Sequence, residues 1–373
     1  PVDYTYPSGY VTLMKPDGTG LLFSTFFSGS KSDTISFAAL TGTGIYLAGQ
    51  AGSVDLPGFD GAVPTACTPL GFVTRMTLDG AAVTSSRTPP GRPLAYDSST
   101  KTLLLSSGSY LIRFDASDAT PIACVLDSSD LKPVTAIAPG ELLSLLGRFP
   151  YYESYPYTSS ISPVDGTFPV TFQRLTVMAN DIAAPLLYIS RQQVNFQAPY
   201  ELAGSPGATL TLNYLDPNSE PVSDARTLSV TATNPVAFLS QTITPSQTTP
   251  LILNADGTVN SATNPAAAGS VVTMFMDGLG TASVQPATGV VNANPKAPLS
   301  VPIAVIPSCA GGSCFPAPSF VAAESLPGAI SGVTQVQLRA PDNSHPAASL
   351  ATMFSLSAGD ISVRDTNLLF WVK

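Results

Sequence analysis

Gln193-Val194-Asn195-Phe196-Gln197-Ala198-Pro199 returns as Gln335-Val336-Gln337-Leu338-Arg339-Ala340-Pro341, at an offset of 335 − 193 = 142 residues. Both copies alternate polar and apolar side chains and then stop at Ala-Pro. Alternation with a period of two marks a strand with one buried face, and proline ends it because it has no N–H for the ladder. A second pair of segments accompanies the first. Pro139-Gly140-Glu141-Leu142-Leu143-Ser144-Leu145-Leu146-Gly147 matches Ala268-Gly269-Ser270-Val271-Val272-Thr273-Met274-Phe275-Met276 in its small residue, glycine and apolar run, at 268 − 139 = 129 residues. The two offsets differ by a modest insertion. The C-terminal part of the chain therefore reads as two copies of one β module.

Composition sets the class. Of 373 residues, 44% are hydrophobic and 11% charged, too apolar a mixture for a disordered chain. The 35 prolines and 29 glycines are spread along the chain, which suits many short strands joined by turns. Sustained helical periodicity is absent, so the expected class is all-β. The net charge is −9, and lysine and arginine form no run, which argues against nucleic-acid binding. No apolar run approaches the roughly 20 residues of a membrane span. An acidic, sparsely charged surface suits an extracellular protein that meets other surfaces, and ordinary solubility accounts for it equally well. The chain begins at Pro1 without methionine or signal peptide, and reads as a processed form or a fragment.

Cys309 and Cys314 flank Ala-Gly-Gly-Ser, a flexible loop able to close into a disulfide, which leaves Cys67 and Cys124. Four cysteines allow about three pairings, and sequence alone does not choose among them. Zinc is the poorer reading, because the spacing is loose and His345 is the only histidine. Disulfides imply an oxidising compartment.

Residues 1–130 carry another repeat. Gly9-Tyr10-Val11-Thr12-Leu13-Met14-Lys15-Pro16-Asp17-Gly18 recurs as Gly71-Phe72-Val73-Thr74-Arg75-Met76-Thr77-Leu78-Asp79-Gly80, at 71 − 9 = 62 residues, with a degenerate third copy at Tyr110–Asp115. Asp-Gly is a tight-turn signal, and the strand–turn–strand rhythm suits a propeller blade. Val11–Asp17, Leu22–Phe27, Ile45–Gly49 and Leu56-Pro57 resemble the bacterial seven-bladed propeller repeat often called SBBP. That resemblance implies a secreted or surface-exposed propeller and brings no reaction with it. Two or three blades do not close a ring, so the sequence leaves three alternatives: blades upstream, a different local fold, or a partner that covers the open edge.

From Cys124 onward the chain resembles the uncharacterised C-terminal domain of acidobacterial, Solibacter-type surface proteins. The residues that carry this are Cys124–Ser129, Ile137–Leu142, Ala184–Ser190 and Gln193–Gly204, then Asn254–Pro265, Gly278-Leu279-Gly280, Pro327-Gly328 and Gln335–Pro341. The resemblance implies immunoglobulin-like β-sandwiches on a secreted protein, with no activity and no functional residues to transfer. The expected architecture is a blade-like region at 1–130, a first sandwich at 131–235 and a second at 236–373, with Thr231–Pro235 as linker.

The chain shows no catalytic set, and the expectation is a non-enzyme without cofactor. His345 sits in a turn-like Asn-Ser-His-Pro, and no nucleophile elbow, zinc-protease motif or phosphate loop is present. Asp115/Asp118 and Asp127/Asp130 have the short spacing of Ca²⁺ loops, but aspartates in turns more often bond their own backbone, so no metal is expected. Tyr151, Tyr152, Tyr155 and Tyr157 form an aromatic loop able to stack on surface glycans or to fold onto its own domain. Two terminal segments alternate like strands: Val2, Tyr4 and Tyr6, and Leu368, Phe370 and Val372. The second of these also reads as a last core strand. The leading expectation is an extracellular structural or adhesive protein that associates with itself, by strand addition at open edges, into a filament. The alternative is a carbohydrate-binding accessory module with the tyrosine loop as its platform.

Overall fold

The computed structural model describes all residues except 1–8, 43, 54–55, 58–69, 82, 89–91, 98, 100–101, 108–109, 116–121, 148–158, 191–192, 216–220, 245–246, 283–286, 293–297, 300, 311, 343–349 and 365–367. Among the described residues the regular elements are strands, apart from the 3-10 turn Tyr200–Leu202. No helix is long and apolar enough to cross a membrane. The chain forms two compact units, Pro1–Cys124 with Leu146–Phe149, and Val125–Leu145 with Pro150–Lys373.

The first unit is built from antiparallel hairpins. β1 (Gly9–Met14) pairs with β2 (Leu21–Phe27). β3 (Asp33–Thr41), β4 (Gly44–Ala51), β5 (Leu70–Met76) and β6 (Val83–Thr88) form a four-stranded meander, the strand count and connectivity of a propeller blade. β7 (Arg92–Asp97), β8 (Thr102–Ser107) and β9 (Tyr110–Asp115) form a three-stranded sheet. The 62-residue repeat is a repeat of hairpins. Asp17 Oδ1 accepts the Thr19 N–H at 2.9 Å, and Asp79 Oδ1 accepts the Ala81 N–H at 3.0 Å. Gly18 and Gly80 follow with φ of 73° and 71°, a conformation that favours glycine and so explains Asp-Gly at both turns. One face of β1–β2 packs Val11 and Phe27 onto Ile45, Leu47, Phe72 and Met76, with the Phe27 and Phe72 ring centroids 5.7 Å apart.

Asp33 fastens the blade. It is buried where β3 begins and accepts the Gly29 N–H at 2.7 Å, the Ser53 N–H at 3.0 Å and the Ser53 hydroxyl at 2.6 Å. Asp33→Ala leaves those donors without their acceptor and is expected to cost ~2–3 kcal/mol in urea unfolding. A loss within about 0.5 kcal/mol, the range of an ordinary surface substitution, would show that water replaces the carboxylate.

The second unit contains two modules with the same strand order. The first has β10 (Ile122–Asp127), β11 (Leu142–Gly147), β12 (Leu175–Ala179), β13 (Leu186–Ile189), β14 (Gln193–Gln197), β15 (Gly207–Leu215) and β16 (Pro221–Val230). Its sheets run β10-β11-β14-β13 and β16-β15-β12. The second has β17 (Ile252–Leu253), β18 (Val271–Asp277), β19 (Ile303–Pro307), β20 (Ser319–Ser325), β21 (Thr334–Arg339), β22 (Leu350–Ala358) and β23 (Leu368–Val372). Its sheets contain the runs β17-β18-β21-β20 and β23-β22-β19, the second extended beyond β23 by the hairpin of Leu239–Thr244 and Gln247–Pro250. In each module the first, second, fifth and fourth strands make one sheet, and the seventh, sixth and third the other. That is the arrangement of an immunoglobulin constant-type sandwich.

The repeated strands occupy equivalent places down to single hydrogen bonds. Gly140 N–H donates to Ala198 O (2.9 Å) and Ala198 N–H to Glu141 O (2.8 Å); Gly269 N–H donates to Ala340 O (3.2 Å) and Ala340 N–H to Ser270 O (2.8 Å). A parallel pair follows the same two offsets, Ile137 with Val230 and Ala266 with Val372. The alternation buries Val194 and Phe196 in one module, and Val336 and Leu338 in the other. β23 pairs with β22 on one side and with Thr248 on the other, and Leu368, Phe370 and Val372 are fully buried. Both of its edges are used within its own module, which makes it a core strand with none free for a neighbour.

Candidate functional site

The segment with the composition of a linker is not a free tether. Thr233 is buried and its hydroxyl donates to Ala358 O at 3.2 Å, while Asn234 N–H donates to Gly278 O at 2.7 Å. Asn234 Nδ2 reaches back to Ala136 O (3.2 Å) and Glu141 Oε1 (2.8 Å). The modules also meet edge to edge. Thr167 bridges Val290, Phe168 N–H donates to Gly289 O at 2.9 Å, and Val291 N–H donates to Gly166 O at 2.8 Å. Gln197 closes this side of the joint. Its Oε1 accepts the Gly289 N–H at 2.8 Å, and its Nε2 donates to the Ser331 carbonyl.

Three carboxylates, Asp127, Glu141 and Asp277, are fully buried inside this joint, and a fourth, Asp130, is buried beside them. Asp127 ends β10. Its Oδ1 accepts the N–H of Ser129 at 2.7 Å and of Asp130 at 3.3 Å, an Asx-type turn. Glu141 precedes β11, and its Oε2 accepts the Ala138 N–H at 2.6 Å. Asp277 ends β18 of the other module and accepts the Leu142 N–H at 3.0 Å. Arg364 from the second module holds Asp130 of the first, with Nη1 3.2 Å from both carboxylate oxygens. Asp127 Oδ2 and Asp277 Oδ1 are buried without a hydrogen-bond partner.

Burial and mutual repulsion push these acids toward their protonated forms. Asp127 is raised to about 6, by burial first and then by the charge of Asp130, against the Ser129 N–H. Glu141 is held well above the ordinary carboxylate value by burial, then by Asp127 and Asp277. Asp277 is held high by burial and then by Asp127, against the Leu142 N–H. A proton on Glu141 faces Asp127, and the Ser129 hydroxyl faces Asp277, so a protonated carboxyl here has a neighbouring acceptor to donate to. Since the carboxyls are covered, their chemistry is confined to gripping main-chain N–H groups and holding protons. Among the described residues, no group of three or more His, Cys, Asp or Glu is placed to hold a metal ion.

Only some of the residues that sequence singles out lie among the described residues. Cys309 and Cys314 form a disulfide across a small hairpin. Cys124 is disulfide-bonded as well, whereas Cys67 lies outside the described residues. Tyr151, Tyr152, Tyr155, Tyr157, Val2, Tyr4, Tyr6 and His345 also lie outside them, as does Asp118. Of the two aspartate pairs, Asp127/Asp130 enters the joint, as turn former and ion-pair partner.

Glu141, Asp277 and Arg364 escape a reading of the sequence because no motif joins residues so far apart. The repeat itself holds a signal. Glu141 stands where the second copy has Ser270, and Asp127 where the corresponding turn has Asn254. Gln197 corresponds to Arg339, and both side chains reach the same glycine carbonyl, Gly140 O and Gly269 O. Gln197 is buried beneath the neighbouring module and Arg339 is exposed. At the repeated positions only the first copy carries acids, Asp127 and Glu141, and the third acid, Asp277, comes from the second copy.

No family model and no curated protein matches this chain. Among solved structures it is similar to the D00-D0 domain of intimin, at 12% identity and a TM-score of 0.16, over 66% of this chain and 98% of that one. It is also similar to an endo-fucoidan hydrolase of glycoside hydrolase family 107, at 11% identity and a TM-score of 0.18, over 100% of this chain and 42% of that one. The chain thus spans less than half of the hydrolase. Neither superposition is close enough to bear on function, and the fold assignment rests on strand order.

Proposed function

We infer that this chain is a non-enzymatic extracellular structural or adhesive protein whose β modules present loops and strand edges to partners. The observation that carries the reading is the filling of the space between the two sandwiches. Junctions between domains are where ligand clefts commonly form. Here the facing ends are occupied by Gln197, Asn234, Glu141 and Asp277, each bonded across the junction. Such a joint holds the two modules stiffly together. The bonded Cys124 and the Cys309–Cys314 pair support an oxidising compartment. The resemblances to the SBBP repeat and to Solibacter-type surface proteins point the same way. Filament formation by strand addition is the finer form of the proposal, and the two-stranded sheet β1–β2 supports it, since outer strand edges offer N–H and C=O rows to a neighbour.

Immunogold electron microscopy of cells that make the protein tests this reading. Label outside the envelope, in ordered fibres or layers, is expected. Label confined to the cytoplasm, with free thiols in the isolated protein, would overturn it.

A further inference from the structure

We propose that the Cys309–Cys314 disulfide is a thiol-exchange site, which takes the thiolate of another molecule as a reversible mixed disulfide. The bond joins residues only five apart, across the hairpin of Cys309–Ala310 with Ser313–Cys314. A disulfide stabilises chiefly by restraining the unfolded chain, and it does so least when the loop it closes is short. The hairpin is also tied down without it. At its base Phe315 N–H donates to Ser308 O at 2.9 Å, Ser308 N–H donates to Met353 O at 3.2 Å, and the Thr352 hydroxyl donates to the Pro316 carbonyl. Thr352 and Met353 belong to β22, so these bonds anchor the hairpin on the sandwich. Neither cysteine is part of the second module's core, and both are exposed.

A bond with little to hold together and open to solvent on a hairpin is of the labile kind that exchange and regulation use. Cys124 makes the contrast. It is disulfide-bonded and half-buried in β10, beside the buried Ile122 and Val125. In the exchange an incoming thiolate attacks the sulfur of Cys309 or Cys314. A new bond forms between the two sulfurs, the Cys309–Cys314 bond breaks, and its electron pair leaves on the other cysteine as a thiolate, which takes a proton from water. One disulfide replaces another, so no separate oxidant or reductant enters. The released cysteine stays on the same hairpin, opposite the modified one, and its return attack expels the thiol and restores the bond. The attacking species is the thiolate, so the rate rises with pH toward the pKa of the incoming thiol, about 8.5 for an ordinary cysteine. The inference stands on this hairpin alone and does not depend on where the protein resides.

The test exposes the native full chain to about 5 mM reduced glutathione at about pH 8, quenches with acid, and follows each cysteine by peptide mass spectrometry. Glutathione is expected on Cys309 or Cys314 at least ~10-fold faster than any opening of the bond at Cys124. A second arm offers a protein thiol, the free Cys309 of the Cys314→Ser variant, and reads disulfide-linked dimers with the native chain. Reaction in either arm supports the site and shows which thiols reach it. The double variant Cys309→Ser/Cys314→Ser should melt within ~4 °C of the native chain, because the bond contributes little to the fold. Resistance of the bond in both arms would overturn the proposal. So would opening no faster than at Cys124, or a double variant that no longer folds, which would make the bond structural.

Discussion

Gly332→Ala is expected to destabilise the second unit by ~3–5 kcal/mol, a large share of the ~5–15 kcal/mol that holds an ordinary domain folded. Gly332 has φ 107°, where a side chain is strained at a cost of ~1–3 kcal/mol. A Cβ there would overlap the Gly140 carbonyl oxygen and come within 3.0 Å of Gln197 Nε2. Neither neighbour can give way easily. Gly140 is fixed by its hydrogen bond to Ala198, and Gln197 by Gly289 and Ser331. Overpacking of this kind adds ~1–3 kcal/mol. Gly328→Ala supplies the control. Its φ is 80°, so the strain is similar, but nothing lies within 4 Å of the added carbon. Only the strain remains, about 1 kcal/mol. Urea unfolding of both variants measures the difference, and equal losses would mean that the close approach of the two modules contributes nothing.

Raising the pH is expected to loosen the same joint. In the unfolded chain Asp127 and Asp277 titrate near 3.8 and Glu141 near 4.5; in the fold all three are raised. Between the unfolded and folded values the native state binds more protons, so stability falls as pH rises. The contribution is full below about pH 4 and declines through about 6 for Asp127, and Glu141 and Asp277, raised by burial, act in the same sense. Asp17, Asp79 and Asp256 are lowered by their Thr19, Thr77 and Thr258 hydrogen bonds, and act in the opposite sense only below their ordinary value. The unfolding free energy should therefore fall as pH rises from about 4.5 through about 6, with a slope approaching 1.4 kcal/mol per pH unit for each linked proton.

Two amide substitutions separate the roles. Asp277→Asn keeps an acceptor for the Leu142 N–H and removes one titrating group. It should flatten the pH slope and match or exceed the native protein near pH 8. Glu141→Gln places an NH2 group against either the Ala138 N–H or the Asn234 amide, since both Glu141 oxygens accept hydrogen bonds. It should cost ~1–3 kcal/mol at every pH. A slope unchanged in Asp277→Asn would remove that residue from the proton balance.

The fold was legible because β architecture writes itself locally. Gln193–Pro199 and Gln335–Pro341 show the period of two, and Asp17-Gly18 and Asp79-Gly80 show the turns, each within a few residues. The repeat implies two like modules, whereas the immunoglobulin-like arrangement is an expectation of the resemblance, and the order of strands in the sheets is set by pairings distant in the chain. The joint was not legible, because its contacts are made by single residues that belong to no pattern. Leu142 and Asp277 meet across 135 positions, and Asp130 and Arg364 across 234. Glu141 lies within the repeated segment, yet only its mismatch with Ser270 hints at a separate role. Asp127 and Asp130 have a spacing that fits both a calcium loop and a turn, and their hydrogen bonds are those of the turn. In Leu368–Val372 the apolar alternation suits either a core strand or a donated one; sequence does not distinguish them, because the partners at Thr248 and β22 are distant in the chain.

Two equivalent immunoglobulin-type modules are locked into one body by an acidic joint whose buried carboxyls are pushed toward protonation. Residue-resolved hydrogen exchange of the full chain at pH 5 and pH 8 tests it most directly. At pH 5 the equivalent amides of Ala198 and Ala340 should exchange through the same opening, with matching protection, and the Leu142 amide beneath Asp277 should share it. At pH 8 all three should lose protection together. Protection of Ala340 that persists while Ala198 and Leu142 exchange freely, at either pH, would contradict the account.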